Sequence, residues 1–343
     1  MNVLSLFDGM SCGQIALERA GIKVDNYFAS EVDEYAIKIA MKNYPDTIQV
    51  GDVTKLDSST LPKIDLLIGG SPCQGFSFAG KQLNFDDDHR SKLFFEFARL
   101  LDKIKPKYFL LENVKMKKEY YDVITGILKV EPISINSSLV SAQSRKRMYW
   151  TNIANVELPI DKNITLEDIA LSEVPSADLL MKSIRNRDLI VWNAPDPIDG
   201  NDYSVRKIWD INEDTAMIQY GSEDQEFLSE AEVFLSEIVV TNKKSINLKQ
   251  YDGELFLNPR NFGGKGYVGA SKKSVSLTSP SGNNATLVKT EFGSWRSLTP
   301  NECEQLQNVP LDYTEGVSNT NRYKMLGNGW TVDVIAHILK GLK

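Results

Sequence analysis

The first 150 or so residues of this 343-residue chain alternate short apolar runs with amphipathic stretches, and that alternation constrains the fold more than any other feature. Strands that are each followed by a helix lie mostly parallel in one sheet, because every return needs a crossover. Strands are expected at 3–6, 27–30, 47–50, 64–68, 108–112, 133–136 and 147–151, and helices at 13–20, 33–43, 92–103 and 120–128. On the second helix Tyr35 and Ile39, and Ala36 and Ala40, form i,i+4 pairs. The fold class is therefore α/β, Rossmann-like. A sheet of this kind takes its ligands beyond the carboxyl ends of its strands, so the residues that follow each strand carry the functional argument.

Composition narrows the class. A hydrophobic fraction of 42% suits a soluble globular protein. No apolar run approaches the roughly 20 residues of a membrane-spanning helix, and no signal peptide precedes the strand at 3–6. Cys12, Cys73 and Cys303 are odd in number and far apart. They read as reduced thiols, which places the protein in a cytoplasm. Two histidines and no paired Cys/His spacing argue against bound metal. Net charge is −7, so contact with nucleic acid needs a local basic surface.

Charge also divides the middle of the chain. Residues 188–237 carry thirteen acidic side chains against Arg206 and Lys207. Strand-like runs at 189–192, 204–210, 215–220 and 226–228, and a helical run at 230–237, suggest a small β-rich, SH3-like insert. From 240 to 295 the balance reverses, with eight basic side chains against Asp252, Glu254 and Glu291, and with glycines at 263, 264, 266 and 269. The expected boundaries are 1–154 and 296–343 for the α/β domain and 155–295 for the remainder.

Several strand ends carry chemistry. After the first come Phe7-Asp8-Gly9-Met10-Ser11-Cys12-Gly13 and a helix, a nucleotide-type cradle or simply a tight turn. Glu31 follows the second strand by the spacing that lets an acid hold ribose hydroxyls. Asp52 follows the third, where it could accept from an adenine amine or cap a helix. With no pyrophosphate fingerprint, this set fits S-adenosylmethionine better than a dinucleotide. Past the fourth strand and a Gly69-Gly70 turn lies Ser71-Pro72-Cys73-Gln74-Gly75-Phe76-Ser77. A cysteine there is either inert or a nucleophile. Glu112 closes the strand that follows and would share the edge with Cys73, where burial can raise a carboxyl pKa. Arg145 and Arg147 point the same way at strand spacing and can clamp a carbonyl or an anion.

Together these segments resemble the DNA (cytosine-5)-methyltransferases, in family order and over nearly the whole chain. The matching elements are Phe7-Asp8-Gly9, Glu31, Gly51-Asp52-Val53, Ser71-Pro72-Cys73-Gln74, Arg90-Ser91 with Leu93-Phe94, Glu112-Asn113-Val114, Gln143 with Arg145 and Arg147, Arg296-Ser297-Leu298-Thr299 with Glu302, and Gly327-Asn328-Gly329. Asp8-Gly9 replaces a bacterial Gly-Gly pair and is similar to the Dnmt3-like branch, whereas Gln-Ser-Arg-Lys-Arg resembles bacterial or phage members.

The resemblance implies methyl transfer from S-adenosylmethionine to carbon 5 of a flipped cytosine in a specific double-stranded DNA sequence, leaving S-adenosylhomocysteine. Cys73 would add to carbon 6, Glu112 would bind ring N3 and the amine, Arg147 would bind the ring carbonyl, and Arg145 would steady the cysteine loop or that carbonyl. The base must leave the duplex, and the loop from Gly75 to about His89 would close over it. Cofactor contacts are implied at Phe7, Asp8, Gly9, Ser11, Gly13, Glu31, Val32, Asp52, Val53, Pro72, Asn328, Trp330 and Val332.

The resemblance assigns the region between Arg147 and Arg296 to target recognition. DNA contacts are expected at Gln74, Ser77, Arg90, Gln143, Arg260, Lys265, Lys272 and Lys273, with Asn261 and Tyr267 nearby. The acidic insert would face away from DNA, as a spacer or a protein-docking module, on a protein expected to be a monomer. Two alternatives remain open from the residues: a tRNA cytosine-5 methyltransferase and a catalytically silent DNA-binding protein. Restriction–modification, orphan and phage settings are equally compatible.

Overall fold

The computed structural model describes residues 1–71, 92–169 and 295–342, with 189–192, 203–209, 215–221, 229–234, 238–241, 256–262, 265–270, 273–277 and 287–289 between them. The chain divides into two compact units, one of 1–168, 276–281 and 300–343, the other of 169–275 and 282–299. The first extends beyond the expected boundary at 154.

The first unit is built on β1 (Asn2–Leu6), α1 (Cys12–Arg19), β2 (Asn26–Ser30), α2 (Glu34–Asn43), β3 (Ile48–Gln49), β4 (Leu66–Gly70), α3 (Lys92–Ile104), β5 (Tyr108–Val114), α4 (Lys118–Leu128), β6 (Ile133–Asn136), β7 (Gln143–Ser144) and β8 (Lys146–Thr151). Seven of these strands form one sheet in the order β3-β2-β1-β4-β5-β8-β6. β1 to β5 run parallel, and β8 runs antiparallel to both β5 and β6. The order reverses between β1 and β4, which is where open parallel sheets leave a crevice for ligands.

Local sequence explains these elements. β1 and β4 read as unbroken apolar runs because helices cover both faces of a parallel sheet; Val3, Leu4, Leu6, Leu66, Leu67 and Ile68 are fully buried. Asp33 caps α2 by accepting from the Tyr35 and Ala36 amides. On α3, Phe94, Phe97 and Leu100 sit on one helical face and are wholly buried against Leu4, Leu67, Leu111 and Trp150. Each such side chain contributes about 2–3 kcal/mol, and Phe97→Ala would cost about 3–5 kcal/mol.

Three C-terminal helices complete the unit: α5 (Pro300–Leu306), α6 (Asn319–Asn328) and α7 (Val332–Leu339). α7 packs along α1, and Asp333 holds Arg19 at 2.6 Å and Lys162 at 2.7 Å. The end of the chain thereby returns to the loop after β1.

Three local expectations are corrected. Gly69 and Gly70 belong to β4 rather than to a turn. Close approach requires them: a Cβ on Gly69 would sit 3.1 Å from the Leu6 carbonyl, and one on Gly70 2.7 Å from Trp330 Nε1 and 3.0 Å from Glu112 Oε2. Glu112 does not close its strand, which continues through Val114 with Glu112 paired to Gly70 and Tyr149. In the second unit residues 230–234 of the run expected as a helix at 230–237 form a strand, Ser229–Phe234, and 235–237 lie outside the described residues. Glu230 and Glu232 alternate with Ala231 and Val233, a period of two.

That second unit contains β9 (Leu189–Trp192), β10 (Tyr203–Trp209), β11 (Thr215–Gly221), β12 (Ser229–Phe234), β13 (Ile238–Thr241), β14 (Phe256–Phe262), β15 (Lys265–Ala270), β16 (Ser274–Val275), β17 (Leu287–Lys289) and β18 (Trp295–Ser297). Antiparallel sheets run in the orders β12-β11-β10-β9-β13 and β15-β14-β17-β18. Among the described residues β12 and β13 do not pair with each other, so the acidic insert is an open five-stranded sheet. The expected run at 226–228 lies outside the described residues.

Candidate active site

A cavity of about 390 Å³ opens at the carboxyl ends of β1, β2, β4 and β5. Phe7, Val32 and Val53 give it apolar surface, Glu31 and Asp52 give it acid, and Glu112, Arg145 and Arg147 stand on its wall. Ser71, the last described residue ahead of Cys73 in sequence, also lines it. The Ser71 hydroxyl accepts from Asn113 Nδ2 at 3.0 Å, which ties the end of β4 to β5.

Glu112 and Arg147 form an ion pair, Oε1 to Nε at 3.1 Å, with both side chains largely buried. β5 and β8 are neighbours, so the sheet itself brings the two together. The carboxylate and guanidinium thus present an acceptor and a donor fork side by side, a set complementary to the edge of a planar base.

Arg145 is different. It is 4% exposed, and its guanidinium donates to the carbonyls of Leu277, Gly327 and Gly329 at 2.9, 3.1 and 3.0 Å. It lines the cavity but acts on backbone, holding the 327–329 segment in place. The cysteine loop, one of the two partners expected for Arg145, lies outside the described residues; the groups its guanidinium meets are backbone carbonyls.

The opposite end of the cavity is acidic. Glu31 accepts from the amides of Gly9, Val32 and Asp33 at 2.7, 2.7 and 2.9 Å. Asp8 accepts from the hydroxyls of Tyr27 at 2.7 Å and Ser11 at 2.8 Å. Burial pushes the Asp8 carboxyl up to about 6, against the hydroxyls that favour its charge. Asp52 caps the 3-10 turn Val53–Lys55 by accepting from the Thr54 amide and hydroxyl, which hold it below the usual carboxylate range. The capping role weighed from sequence is therefore present, and Asp52 still faces the cavity.

S-adenosylmethionine, the donor implied by the resemblance, suits these groups. Gly9 has φ +61°, and a Cβ there would meet nothing within 4 Å, leaving an open cradle. Val32 is 71% exposed on the cavity wall, an apolar surface awaiting a partner. Phe7, Asn328 and Trp330 lie on the lining as well.

Not every expected site residue is there. Ser11 is buried behind the lining on Asp8. Gly13 faces the sheet, where a Cβ would stand 2.5 Å from the Tyr27 hydroxyl and 2.7 Å from Ile68. Val332 is fully buried in the first turn of α7. All three support the cavity from behind. Gln143 is corrected as a DNA contact: it is completely buried, donating to Leu306 and Gln307 and accepting from the Leu277 amide. Arg260 and Lys265 lie on β14 and β15, and Lys273 is half-buried. Pro72, Cys73, Gln74, Ser77, Arg90 and Lys272 fall outside the described residues.

Sequence reasoning missed Tyr27 and the pair Lys324–Asp33, 2.5 Å apart on the lining. Tyr27 sits at the start of an apolar run and Lys324 three residues before Gly327, so neither carries a signal without the fold. Among the described residues no helix is long and apolar enough to cross a membrane, and no cluster of His, Cys, Asp and Glu could hold a metal.

Comparison with known proteins agrees with the geometry. The type II methyltransferase M1.ScrFI of Lactococcus lactis subsp. cremoris is 29% identical over 97% of this chain and 75% of its own. M.HhaI of Haemophilus parahaemolyticus is 25% identical over 98% and 93%. The orphan methyltransferase M.SPRI of Bacillus phage SPR is 43% identical over 117 residues, 34% of this chain and 26% of that enzyme. Among solved structures, a putative DNA modification methyltransferase encoded within an E. coli prophage superposes with a TM-score of 0.61 at 20% identity, over 100% of this chain and 98% of its own. The family model for C-5 cytosine-specific DNA methylase matches residues 1–343, and the chain belongs to that family.

Proposed function

We propose that the protein methylates carbon 5 of a cytosine flipped out of double-stranded DNA, using Cys73 as the nucleophile. The observation that carries this reading is the Glu112–Arg147 pair at 3.1 Å on the wall of a cavity that Ser71, two residues before Cys73 in the sequence, also lines. Phe7, Gly9, Glu31, Val32, Asp52, Val53, Asn328 and Trp330 would hold S-adenosylmethionine, which supplies an electrophilic methyl group when bound.

The chain's own groups do the rest. The Cys73 thiolate adds to carbon 6 and pushes electron density to carbon 5, which is otherwise too weak a nucleophile. Arg147 donates to the ring carbonyl as negative charge develops there. Glu112 accepts from the exocyclic amine and holds a proton at ring N3. Loss of the carbon 5 proton then expels Cys73, restoring the thiolate and the aromatic ring. Arg145 acts as a positioning residue through the 327–329 backbone.

The second unit is the proposed reader of DNA sequence. Support comes from the basic 240–295 stretch and from the β14–β15 pairing, which sets Arg260 opposite Tyr267 and Lys265 opposite Phe262. Lysines there would neutralise phosphates while a few side chains reach base edges. The acidic 188–237 sheet would stay off the phosphates.

Incubation with S-adenosylmethionine carrying a labelled methyl group, on matched duplex DNA and tRNA, followed by bisulfite sequencing, tests the reading. Label at one cytosine context in duplex DNA supports it. Label on tRNA alone, or none on either, refutes it.

A further inference from the structure

Five carboxylates and three cations line the cavity, and every cation is already engaged. Arg147 is bound to Glu112, Lys324 to Asp33, and Arg145 to backbone carbonyls. Asp8 and Glu31 make no ion pair among the described residues. Asp8 is 9% exposed and is held by neutral hydroxyls alone, those of Tyr27 and Ser11 with the Ser5 hydroxyl beside them. A buried carboxylate without a cation is costly to the fold, and a cationic ligand beside it would remove that cost.

We propose that Asp8 is a charge selector, whose buried carboxylate favours the sulfonium form of the methyl donor over its neutral thioether product. The inference rests on the reading that this cavity holds S-adenosylmethionine. Donor and product differ by one methyl group and one positive charge at sulfur, so shape alone separates them weakly. A fixed anion on the cavity wall attracts that charge, more strongly the nearer the sulfur lies. Its effect is to keep the product from holding the site after each turnover.

The groups facing Asp8 are Ser5 from β1, Tyr27 and Glu31 from β2 and its end, Ser11 and Cys12 at the start of α1, and Tyr313 from the C-terminal segment, whose hydroxyl donates to the Met10 carbonyl. Burial pushes Tyr27 and Tyr313 well upward and the Cys12 thiol up to about 12. They stay neutral between pH 5 and 7, the range in which Asp8 ionises.

Calorimetric titration of the full chain with S-adenosylmethionine and with S-adenosylhomocysteine, at pH 5.0 and 7.0 and without DNA, tests this. At pH 7.0 the wild type should prefer the donor, and Asp8→Asn should lower that preference about tenfold by weakening the donor alone. The wild type at pH 5.0 should behave as the variant does at pH 7.0. Equal weakening of both ligands in Asp8→Asn, or a preference that is flat with pH, overturns the proposal. Should the variant fail to fold, the wild-type pH series decides by itself. Phe7→Ala and Glu31→Ala report on the parent reading. If both retain both ligands, the cavity is not the donor site; if they lose both while the wild-type preference stays flat, only the role of Asp8 falls.

Discussion

The two ends of the cavity handle charge in opposite ways. At one, Glu112 is matched to Arg147 and Arg145 to three carbonyls, so every charge has a protein partner. At the other, Asp8 and Glu31 are satisfied by hydroxyls and amides and make no ion pair among the described residues. The matched end is organised before any base arrives, which is what electrostatic catalysis requires. The unmatched end stores an imbalance that a cationic ligand relieves. One sheet edge thus carries a rigid half for chemistry and an electrostatically unsaturated half for binding.

The largest expected effect is at the matched end. Glu112→Gln keeps the shape but loses the charge, and should lower kcat by about 10²–10⁴ while S-adenosylmethionine binds normally by calorimetry. A lost cofactor affinity would show that the two ends are not separate. Next comes Arg145→Ala, which strips buried carbonyls of their donor and should destabilise the protein by about 3–5 kcal/mol. Denaturant unfolding would measure it, and an unchanged midpoint would remove Arg145 from its positioning role.

At the unmatched end the sign reverses. The Asp8 carboxyl stands at about 6 in the fold against an ordinary 3.8. The fold therefore favours its neutral form, and the stability tied to that form is complete below pH 4 and lost as pH rises through 6. Asp8→Asn should make the ligand-free protein more stable than wild type at pH 8, by at most about 3 kcal/mol, and no more stable at pH 4. A variant less stable at pH 8 would mean that the hydroxyl bonds outweigh the burial. The smallest effect is Asp52→Ala, which removes a cap from a 3-10 turn at the surface and should cost about 1 kcal/mol or less.

How far these features were legible in the sequence depends on what sets them. The β1, β2 and β5 cores were readable because burial on both faces makes continuous apolar runs, and Ile133–Asn136 appears with its expected bounds. Glu112 and Arg147 were readable as strand residues on one edge. Gln143 and Arg145 were not, because one residue separates a buried amide, an arginine bound to backbone and an arginine on the cavity wall. Which carbonyl lies opposite each depends on the C-terminal return through 327–329, close to two hundred residues away. The run at 230–237 misled because glutamate and alanine favour helices while β11 offers a pairing edge, and tertiary context overrides propensity. Gly69-Gly70 read as a turn because nothing local reveals Trp330 packing against it.

The central claim is that Cys73 bonds to carbon 6 of cytosine. Duplex DNA carrying 5-fluorocytosine at the target blocks the final elimination, since fluorine cannot leave as the proton does. Wild-type protein with S-adenosylmethionine should form a covalent complex stable to denaturing electrophoresis, with the added mass on the peptide containing Cys73, and Cys73→Ser should form none. A complex that persists in Cys73→Ser, or a wild-type protein that methylates DNA yet never becomes trapped, would contradict the account.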